Sequence, residues 1–363
     1  MAGSRHFFYL VLLNALINVI NNVPRTLINH RFQDVMTSLV LSVPVGLLML
    51  YFTSRSVMKL RDETLPERLY RLLPHWAALP VLLGFAFVWY MAGAITLLSF
   101  VDITLRYISP DMSKYLVMSG FLAVVICSAR MKSYSILFAL ETLTVLMVPF
   151  MMYFLGKTVL NPDFSWDAIL KTVRSGWGTP TFEALSAATF IFTGYTNMAV
   201  FHRAFRGFKL KLAHLWLIAI PGVLTLLTSL LIPIGLLGTR GVEKHVYPWF
   251  STADSVHIEF FLVERLVFVF YLFYITMSLI SVIVHWHVAF HIVELLLPFK
   301  QKLKSGARSY IVIVSFALPS LAMLMMDQQT LLHLAVMYLQ IRFVGEFSLS
   351  VAAVWAVRRR WAR

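Results

Sequence analysis

Long apolar runs, separated by short polar and basic segments, recur along the whole chain. A helix needs roughly 20 apolar residues to cross the hydrocarbon core of a bilayer, which is about 30 Å thick. Ten runs have a length and polarity suited to such a span. The predicted spans, numbered 1 to 10, lie near 7–28, 35–54, 76–105, 115–130, 134–156, 182–201, 213–238, 261–287, 308–326 and 331–357. The pattern predicts an all-α integral membrane protein with one polytopic domain over residues 1–363.

Composition agrees with this picture and excludes several classes of protein. Hydrophobic residues make up 59% of the chain and charged residues 13%, which is too apolar for a soluble domain. The formal charge is +14, but the basic residues stand in blocks between apolar runs, so they indicate topology rather than nucleic-acid binding. Cys127 is the only cysteine. No phosphate loop, nucleophile elbow or zinc-protease motif occurs, so we expect neither a cofactor nor enzymatic activity.

The basic blocks alternate along the chain and predict its orientation. They follow spans 2, 4, 6 and 8 and then end the chain. Their members are Arg55, Lys59, Arg61, Arg68, Arg71, Arg130, Lys132, Arg203, Arg206, Lys209, Lys211, Lys300, Lys302, Lys304, Arg308, Arg358, Arg359, Arg360 and Arg363. The positive-inside rule then places both termini in the cytoplasm. One span more or fewer would move the later blocks outside, so the alternation also favours ten.

Span 1 has an unusual polar stripe. Asn14, Asn18, Asn21 and Asn22 occur within it and are followed by Pro24. Amides in hydrocarbon are costly without partners, and proline removes a backbone donor. We therefore expect a break in the helix that faces protein or a water-filled cavity. Hydrogen bonding between helices is the alternative, structural interpretation.

Span 6 contains a companion feature, a glycine among hydroxyl groups in mid-span, which predicts a second break. Spans 1 and 6 each begin a set of five, so interrupted helices occupy corresponding positions in two halves of the chain. Inverted-repeat transporters have this arrangement and bind substrate at the interrupted segments. The pattern predicts a 5+5 inverted-repeat transporter fold with broken helices 1 and 6. The candidate ligand-binding residues are Asn18, Asn21, Asn22, Thr193, Gly194 and Tyr195.

Ionisable residues inside spans are the candidates for proton or ion-pair sites, because a charge in lipid needs a partner or a cavity. They are Glu141, Glu264, Arg342 and Glu346. Arg342 and Glu346 are four residues apart and can neutralise each other as a structural ion pair. Glu141 has no cation nearby in sequence, so we expect it to be protonated or hydrogen-bonded.

Two other features have competing interpretations. His287 and His291 have the spacing of a two-histidine metal site, but no carboxylate is shown to complete it, so we expect no metal. The outer segments 157–181 and 239–260 contain Trp166, Trp177, Tyr247 and Trp249. Such aromatic residues favour anchoring at the headgroup level, and the alternative is that a segment caps a site from outside.

Three stretches carry a family resemblance. They are Glu63-Thr64-Leu65-Pro66-Glu67 with Leu72-Leu73, Tyr247-Pro248-Trp249-Phe250, and Phe261-Leu262-Val263-Glu264-Arg265. They are similar to the TLPE…LL, YP and FLER motifs of the B subunits of spore germinant receptors, the endospore germination permeases of the amino acid/polyamine/organocation transporter superfamily. The chain departs from such transporters at residues 18–24, where asparagines replace the usual glycine-containing segment.

The resemblance implies a receptor subunit in the inner membrane of a dormant spore. It would bind a small nutrient germinant, often an amino acid, between broken helices 1 and 6, and partner A and C subunits would complete the receptor. The alternative is a stand-alone proton-coupled amino-acid symporter, with Glu141 or Glu264 as the proton carrier.

Overall fold

The computed structural model describes residues 2–18, 20, 22–60, 63–205, 207–256, 266–297 and 305–359, without the side chains of 2–4, 18 and 305–308. Every regular element in these ranges is helical, which confirms the all-α class. The α-helices are α1 Ala2–Asn18, α2 Asn22–Asn29, α3 Val35–Val57, α4 Leu65–Leu72, α5 His75–Ile103, α6 Lys114–Ser128, α7 Ser133–Val159, α8 Trp166–Ser175, α9 Phe182–Thr189, α10 Met198–Phe201, α11 Trp216–Leu237, α12 Pro248–Ser255, α13 Leu266–Leu296, α14 Ser305–Ala322 and α15 Gln328–Arg358.

Seven helical stretches within the described ranges are long and apolar enough to cross a bilayer. They are Val35–Val57, His75–Ile108, Ser133–Val159, Phe182–Phe205, Leu212–Leu237, Leu266–Leu296 and Gln328–Arg358. The bent pair α1 and α2 adds an eighth. Helices α6 and α14 coincide with predicted spans 4 and 9 but are shorter apolar helices. The membrane class is confirmed and eight spans are supported by length and composition, whereas the full count of ten stays a prediction.

The predicted break in span 1 is confirmed as a bend of 56° between α1 and α2. Pro24 lies in the first turn of α2, where a missing backbone donor costs the helix nothing. Span 6 behaves differently from the expectation of an unwound segment. Between α9 and α10 it tightens into the 3₁₀-helix Phe190–Asn197, which is longer than most such runs.

The long helices α5 and α13 pack along each other. A Cβ atom at Gly93 of α5 would overlap the indole of Trp286 on α13. The same indole stacks on Tyr90 at 6.0 Å and donates a hydrogen bond from Nε1 to the Tyr90 carbonyl at 3.2 Å. Close packing of this kind holds membrane helices together, because lipid offers no hydrophobic drive for their association.

The outer segments correct one expectation. Trp166 and Trp177 are 60% and 56% exposed, as headgroup anchors require. Tyr247 and Trp249 are buried instead, so the anchor interpretation is wrong for these two. Trp249 donates from Nε1 to the Ser229 carbonyl at 3.2 Å. These aromatic residues hold α12 inside the helix bundle, against α11 and α13.

Candidate functional site

Two small cavities lie where α1, α2, α5, the 3₁₀-helix Phe190–Asn197, α13 and α15 meet. The first has a volume of about 30 Å³, and its polar lining residues include Trp89, Thr193, Thr196, Arg342 and Glu346. The second has about 20 Å³, and its polar lining residues include Asn14, Asn22, Thr96 and Ser281. Phe190, His285 and Tyr338 line both cavities and form the wall between them. We call the two cavities and this wall the central site.

Asn14 of α1 joins the two halves of the central site. Its Nδ2 group donates to the Phe190 carbonyl at 2.9 Å and to the hydroxyl of Thr193. The Thr193 hydroxyl in turn donates to the same carbonyl at 2.9 Å. Helix α1 and the 3₁₀-helix are therefore held together by a buried polar cluster. Asn14 belongs to the asparagine stripe of span 1, yet it was not among the candidate ligand-binding residues.

Gly194 lies at the closest approach of the same two helices. A Cβ atom there would stand 2.7 Å from Val11 Cα and closer still to the Leu10 carbonyl oxygen. Both are backbone atoms, which no rotamer change can move aside. The glycine thus permits two backbones to touch, and its position in mid-span reflects packing as much as helix distortion.

Tyr195 is buried and is not among the lining residues of either cavity. Its hydroxyl makes no hydrogen bond within the described part of the chain, with Glu346 and Ser350 as polar neighbours. Thr193 and Asn22 line the cavities. The side chain of Asn18 and the whole of Asn21 lie outside the described residues, so their ligand-binding roles stay predictions.

Arg342 and Glu346 form an ion pair on α15 that is almost completely buried. The guanidinium also reaches span 6, where Nη2 donates to the Ser186 carbonyl at 2.6 Å. Its Cζ atom lies 4.4 Å from the centroid of the Phe190 ring. The Nε atom is buried without a hydrogen-bond partner among the described residues. The pair thus fastens α15 to span 6 and carries charge to the edge of the first cavity.

Helices α5 and α13 contribute residues that sequence reasoning missed. Trp89 donates from Nε1 to Asn197 Oδ1 at 2.7 Å, which ties α5 to the end of the 3₁₀-helix. His285 donates from Nδ1 to the Ser281 carbonyl at 2.7 Å, because a carbonyl oxygen only accepts. A neutral His285 ring then keeps Nε2 as an acceptor. No sequence signal distinguished Trp89 from the other eight tryptophans.

Glu141 receives partners that are distant in sequence. His6 Nε2 lies 2.9 Å from one carboxylate oxygen, and Arg5 lies 3.4 Å from the other. The carboxylate therefore holds the start of α1 against α7. Glu264 lies outside the described residues.

The histidines of α13 do not gather as a metal site. His287 donates from Nδ1 to the Ala129 carbonyl at 2.8 Å and accepts at Nε2 from the Ser133 hydroxyl at 2.9 Å. These bonds occupy both ring nitrogens. No group of three or more His, Cys, Asp or Glu residues is arranged for a metal within the described ranges.

The TLPE stretch forms a helix cap beside a larger cavity of about 530 Å³. Thr64 and Glu67 make a reciprocal capping box at the start of α4. Arg203, at the end of span 6, donates from Nη2 to Glu67 at 2.7 Å. Burial raises the pKa of the Glu67 carboxyl, but the Thr64 backbone N–H and the Arg203 charge outweigh it and lower the pKa. The motif therefore connects the start of α4 to the end of span 6.

A second polar cluster lies just beyond the C-terminal end of α2, around Asp34. Asp34 accepts hydrogen bonds from the Thr181 N–H at 2.6 Å and the Thr181 hydroxyl at 2.9 Å. It also accepts from Ser38 and lies 2.9 Å from His30 Nδ1. Burial raises the pKa of Asp34, but these hydrogen bonds outweigh it and lower the pKa below its usual value. The cluster fixes α2 to the segment that leads into span 6.

No protein-family model matches the chain, and no curated protein matches it. Among solved structures, a similar chain is that of a Na⁺-coupled sialic acid symporter in a substrate-bound outward-open state. The two sequences are 12% identical over 98% of this chain and 74% of the symporter chain, with a TM-score of 0.41. Similarity at this level assigns neither a substrate nor an ion nor a mechanism to the chain.

Proposed function

We propose that the chain is a transporter-like membrane protein that binds a small polar nutrient at the central site and serves as the membrane subunit of a spore germinant receptor. One observation carries this proposal. Polar and charged side chains from six helices surround two cavities at the bend of span 1 and the 3₁₀-helix of span 6. Buried polar groups in a membrane need partners or a cavity, and at helix interruptions such groups typically mark substrate or ion sites.

The size of the cavities defines how binding must proceed. Volumes of about 30 and 20 Å³ each hold about one water molecule. An amino acid therefore enters only if the wall of Phe190, His285 and Tyr338 moves and the cavities merge. A ligand that stabilises the merged state shifts the population toward it, which is the physical requirement for a sensor.

The two ends of the merged site differ in chemistry and suit a zwitterion. The second cavity offers the amides of Asn14 and Asn22 near the N-terminus of α2, where backbone N–H groups favour a carboxylate. The first cavity offers the carboxylate of Glu346 beside Arg342, which suits an ammonium group or a polar side chain. An amino acid is therefore the ligand class that we propose.

The receptor assignment depends on the motifs as well as on the site. The TLPE and YP stretches resemble those of germinant receptor B subunits and both occupy ordered positions, as a helix cap and the start of α12. A and C subunits, a place in the spore inner membrane and cytoplasmic termini belong to the same proposal.

A stand-alone proton-coupled symporter is the second candidate, favoured by the buried carboxylate of Glu346 at the first cavity. Uptake into proteoliposomes separates the two. Accumulation of an amino acid by the purified chain under a pH gradient supports the symporter. Ligand binding without uptake supports the receptor subunit.

Binding is tested by thermal unfolding of the purified chain against a panel of amino acids, since a ligand at 100 times its Kd stabilises by about 2.7 kcal/mol. Thr196→Val removes a hydroxyl that lines the first cavity and donates to the Thr193 carbonyl at 2.9 Å. Thr158→Val is the matched control, because its hydroxyl donates to the Phe154 carbonyl at the same distance on α7.

We expect the ligand-induced shift to shrink in Thr196→Val and to persist in Thr158→Val. Equal shifts in both variants would place the ligand elsewhere. If no amino acid stabilises the chain, either alone or with A and C subunits, the proposed function is wrong.

A further inference from the structure

A long apolar groove runs between α3 and α15 on the outside of the bundle, away from the central site. It has a volume of about 690 Å³. Four of its apolar side chains are more than half exposed, namely Leu48, Phe52, Phe347 and Val351. Their spacing forms one stripe on each helix, so two neighbouring stripes make the walls of a single channel.

The groove has almost no polar surface of its own. Apart from Arg358 at one end, Ser350 is its polar lining residue. The Ser350 hydroxyl is already engaged, since it donates to the Glu346 carbonyl and accepts from Thr53 at 2.7 Å. Any occupant must therefore be apolar along its length. A polar peptide or a solute would lose its hydrogen bonds to water without replacement.

One end of the groove is strongly basic. Helices α3 and α15 carry Arg55 and Arg358 in their last turns, and Arg358 lines the groove. Arg359 lies over the ring of Trp355, with Cζ 5.4 Å from the centroid. The sequence continues with Arg360 and Arg363. Loop charge predicts this end to face the cytoplasm.

The length of the groove matches one leaflet. Its lining extends along α15 from Phe343 to Arg358, about 22 Å at 1.5 Å per residue. One leaflet with its headgroup region is about 20–22 Å thick, half of the roughly 40–45 Å of the whole bilayer. The groove therefore reaches from the headgroup level to about the middle of the bilayer.

We propose that this groove binds an anionic phospholipid of the cytoplasmic leaflet, with an acyl chain in the channel and the phosphate among Arg55, Arg358 and Arg359. Charge complementarity selects this occupant. A zwitterionic lipid would fill the channel equally well but would leave the arginines without net opposite charge. Tryptophan at position 355 suits the boundary between headgroup and chain.

Bromine-labelled lipids test the proposal, because bromine quenches tryptophan fluorescence at short range. The full chain is reconstituted in phosphatidylcholine vesicles that contain brominated phosphatidylglycerol or brominated phosphatidylcholine in equal amounts. We expect stronger quenching by the brominated phosphatidylglycerol. Trp355→Phe should abolish the difference between the two lipids, because it removes the reporter and leaves the groove apolar.

Charge variants identify the headgroup contact. Each basic residue near an anionic membrane surface contributes about fivefold in binding, so Arg358→Gln with Arg359→Gln should reduce the preference roughly 25-fold. Lys171→Gln with Arg174→Gln is the control, because it also removes two positive charges, from α8, outside the groove. Equal quenching by the two lipids in the unmodified chain would overturn the proposal.

A protein occupant is the competing result. In a Cys127→Ser background, Val351→Cys would form a disulfide-linked dimer if a second copy filled the groove. Efficient dimer formation, with no quenching by either lipid, would replace the lipid with a second chain and overturn the proposal. Persistence of a free thiol at position 351, together with quenching by phosphatidylglycerol, supports the lipid.

Discussion

Alanine at position 194 is expected to separate the two helices on which the central site depends. The new Cβ atom would lie 2.7 Å from Val11 Cα, whereas ordinary contact begins at 3.4 Å, so α1 must retreat by at least about 0.7 Å. The Leu10 carbonyl is closer still and is backbone too. Overpacking of this kind typically costs 1–3 kcal/mol. Because the displacement also strains the bonds of Asn14, we expect about 3 kcal/mol for Gly194→Ala.

Thermal unfolding in detergent, followed by tryptophan fluorescence, measures this cost. Gly156→Ala provides the matched control, since nothing lies within 4 Å of a Cβ atom there. Alanine is up to about 1 kcal/mol better than glycine within a helix, so Gly156→Ala should be neutral or stabilising. Gly194→Ala should lower the Tm by several degrees. If both variants unfold together, α1 and the 3₁₀-helix do not touch as described, and the closed central site is wrong.

Three further changes test other contacts. Arg342→Met leaves the buried Glu346 carboxylate unpaired and should cost about 3–5 kcal/mol, whereas Arg342→Met with Glu346→Leu should recover part of that loss in the same unfolding assay. The pKa of Asp34 is lower in the folded chain than in the unfolded chain. The ionised carboxylate therefore stabilises the fold fully above the unfolded pKa of about 3.9, and this contribution is lost as the pH falls through the folded pKa. Asp34→Asn should therefore flatten the Tm decline below about pH 4, and an unchanged acid limb would contradict this account. Glu67→Gln keeps a side chain that suits the capping box but loses the ion pair with Arg203. Because that pair is partly exposed, the change should lower the free energy of unfolding by less than about 1 kcal/mol. Glu67→Ala also removes the capping side chain and should lower it further.

The membrane class, the helix positions and the bend of span 1 were predictable from sequence because they arise from local properties. Apolar length defines a span, and Pro24 after a run of asparagines marks a helix restart. Span 6 shows the limit of local reasoning. Gly194 indicated a distortion correctly, but the segment tightens into a 3₁₀-helix instead of opening, and the backbone of α1 lies directly against it.

The residues around the central site were only partly predictable, because tertiary packing selects them. Trp89 and Asn197 are 108 positions apart, and no local sequence pattern indicates that they form a hydrogen bond. Glu141 had no cation nearby in sequence, yet it meets Arg5 and His6 from the start of the chain. Trp249 is a residue type that typically anchors at the headgroup level, but it is buried because α12 packs against α11 and α13.

Most polar groups of the central site already have hydrogen-bond partners, and under the proposed function this determines what a ligand must do. Asn14 already serves Thr193 and the Phe190 carbonyl, and Arg342 already serves Glu346 and the Ser186 carbonyl. A ligand therefore exchanges hydrogen bonds instead of adding them, and each exchange has a small net free energy. Binding can be favourable only if it accompanies movement of the wall between the cavities. Under the proposed function, binding and the conformational change then occur together, so a molecule that failed to move the wall between the cavities would also fail to bind.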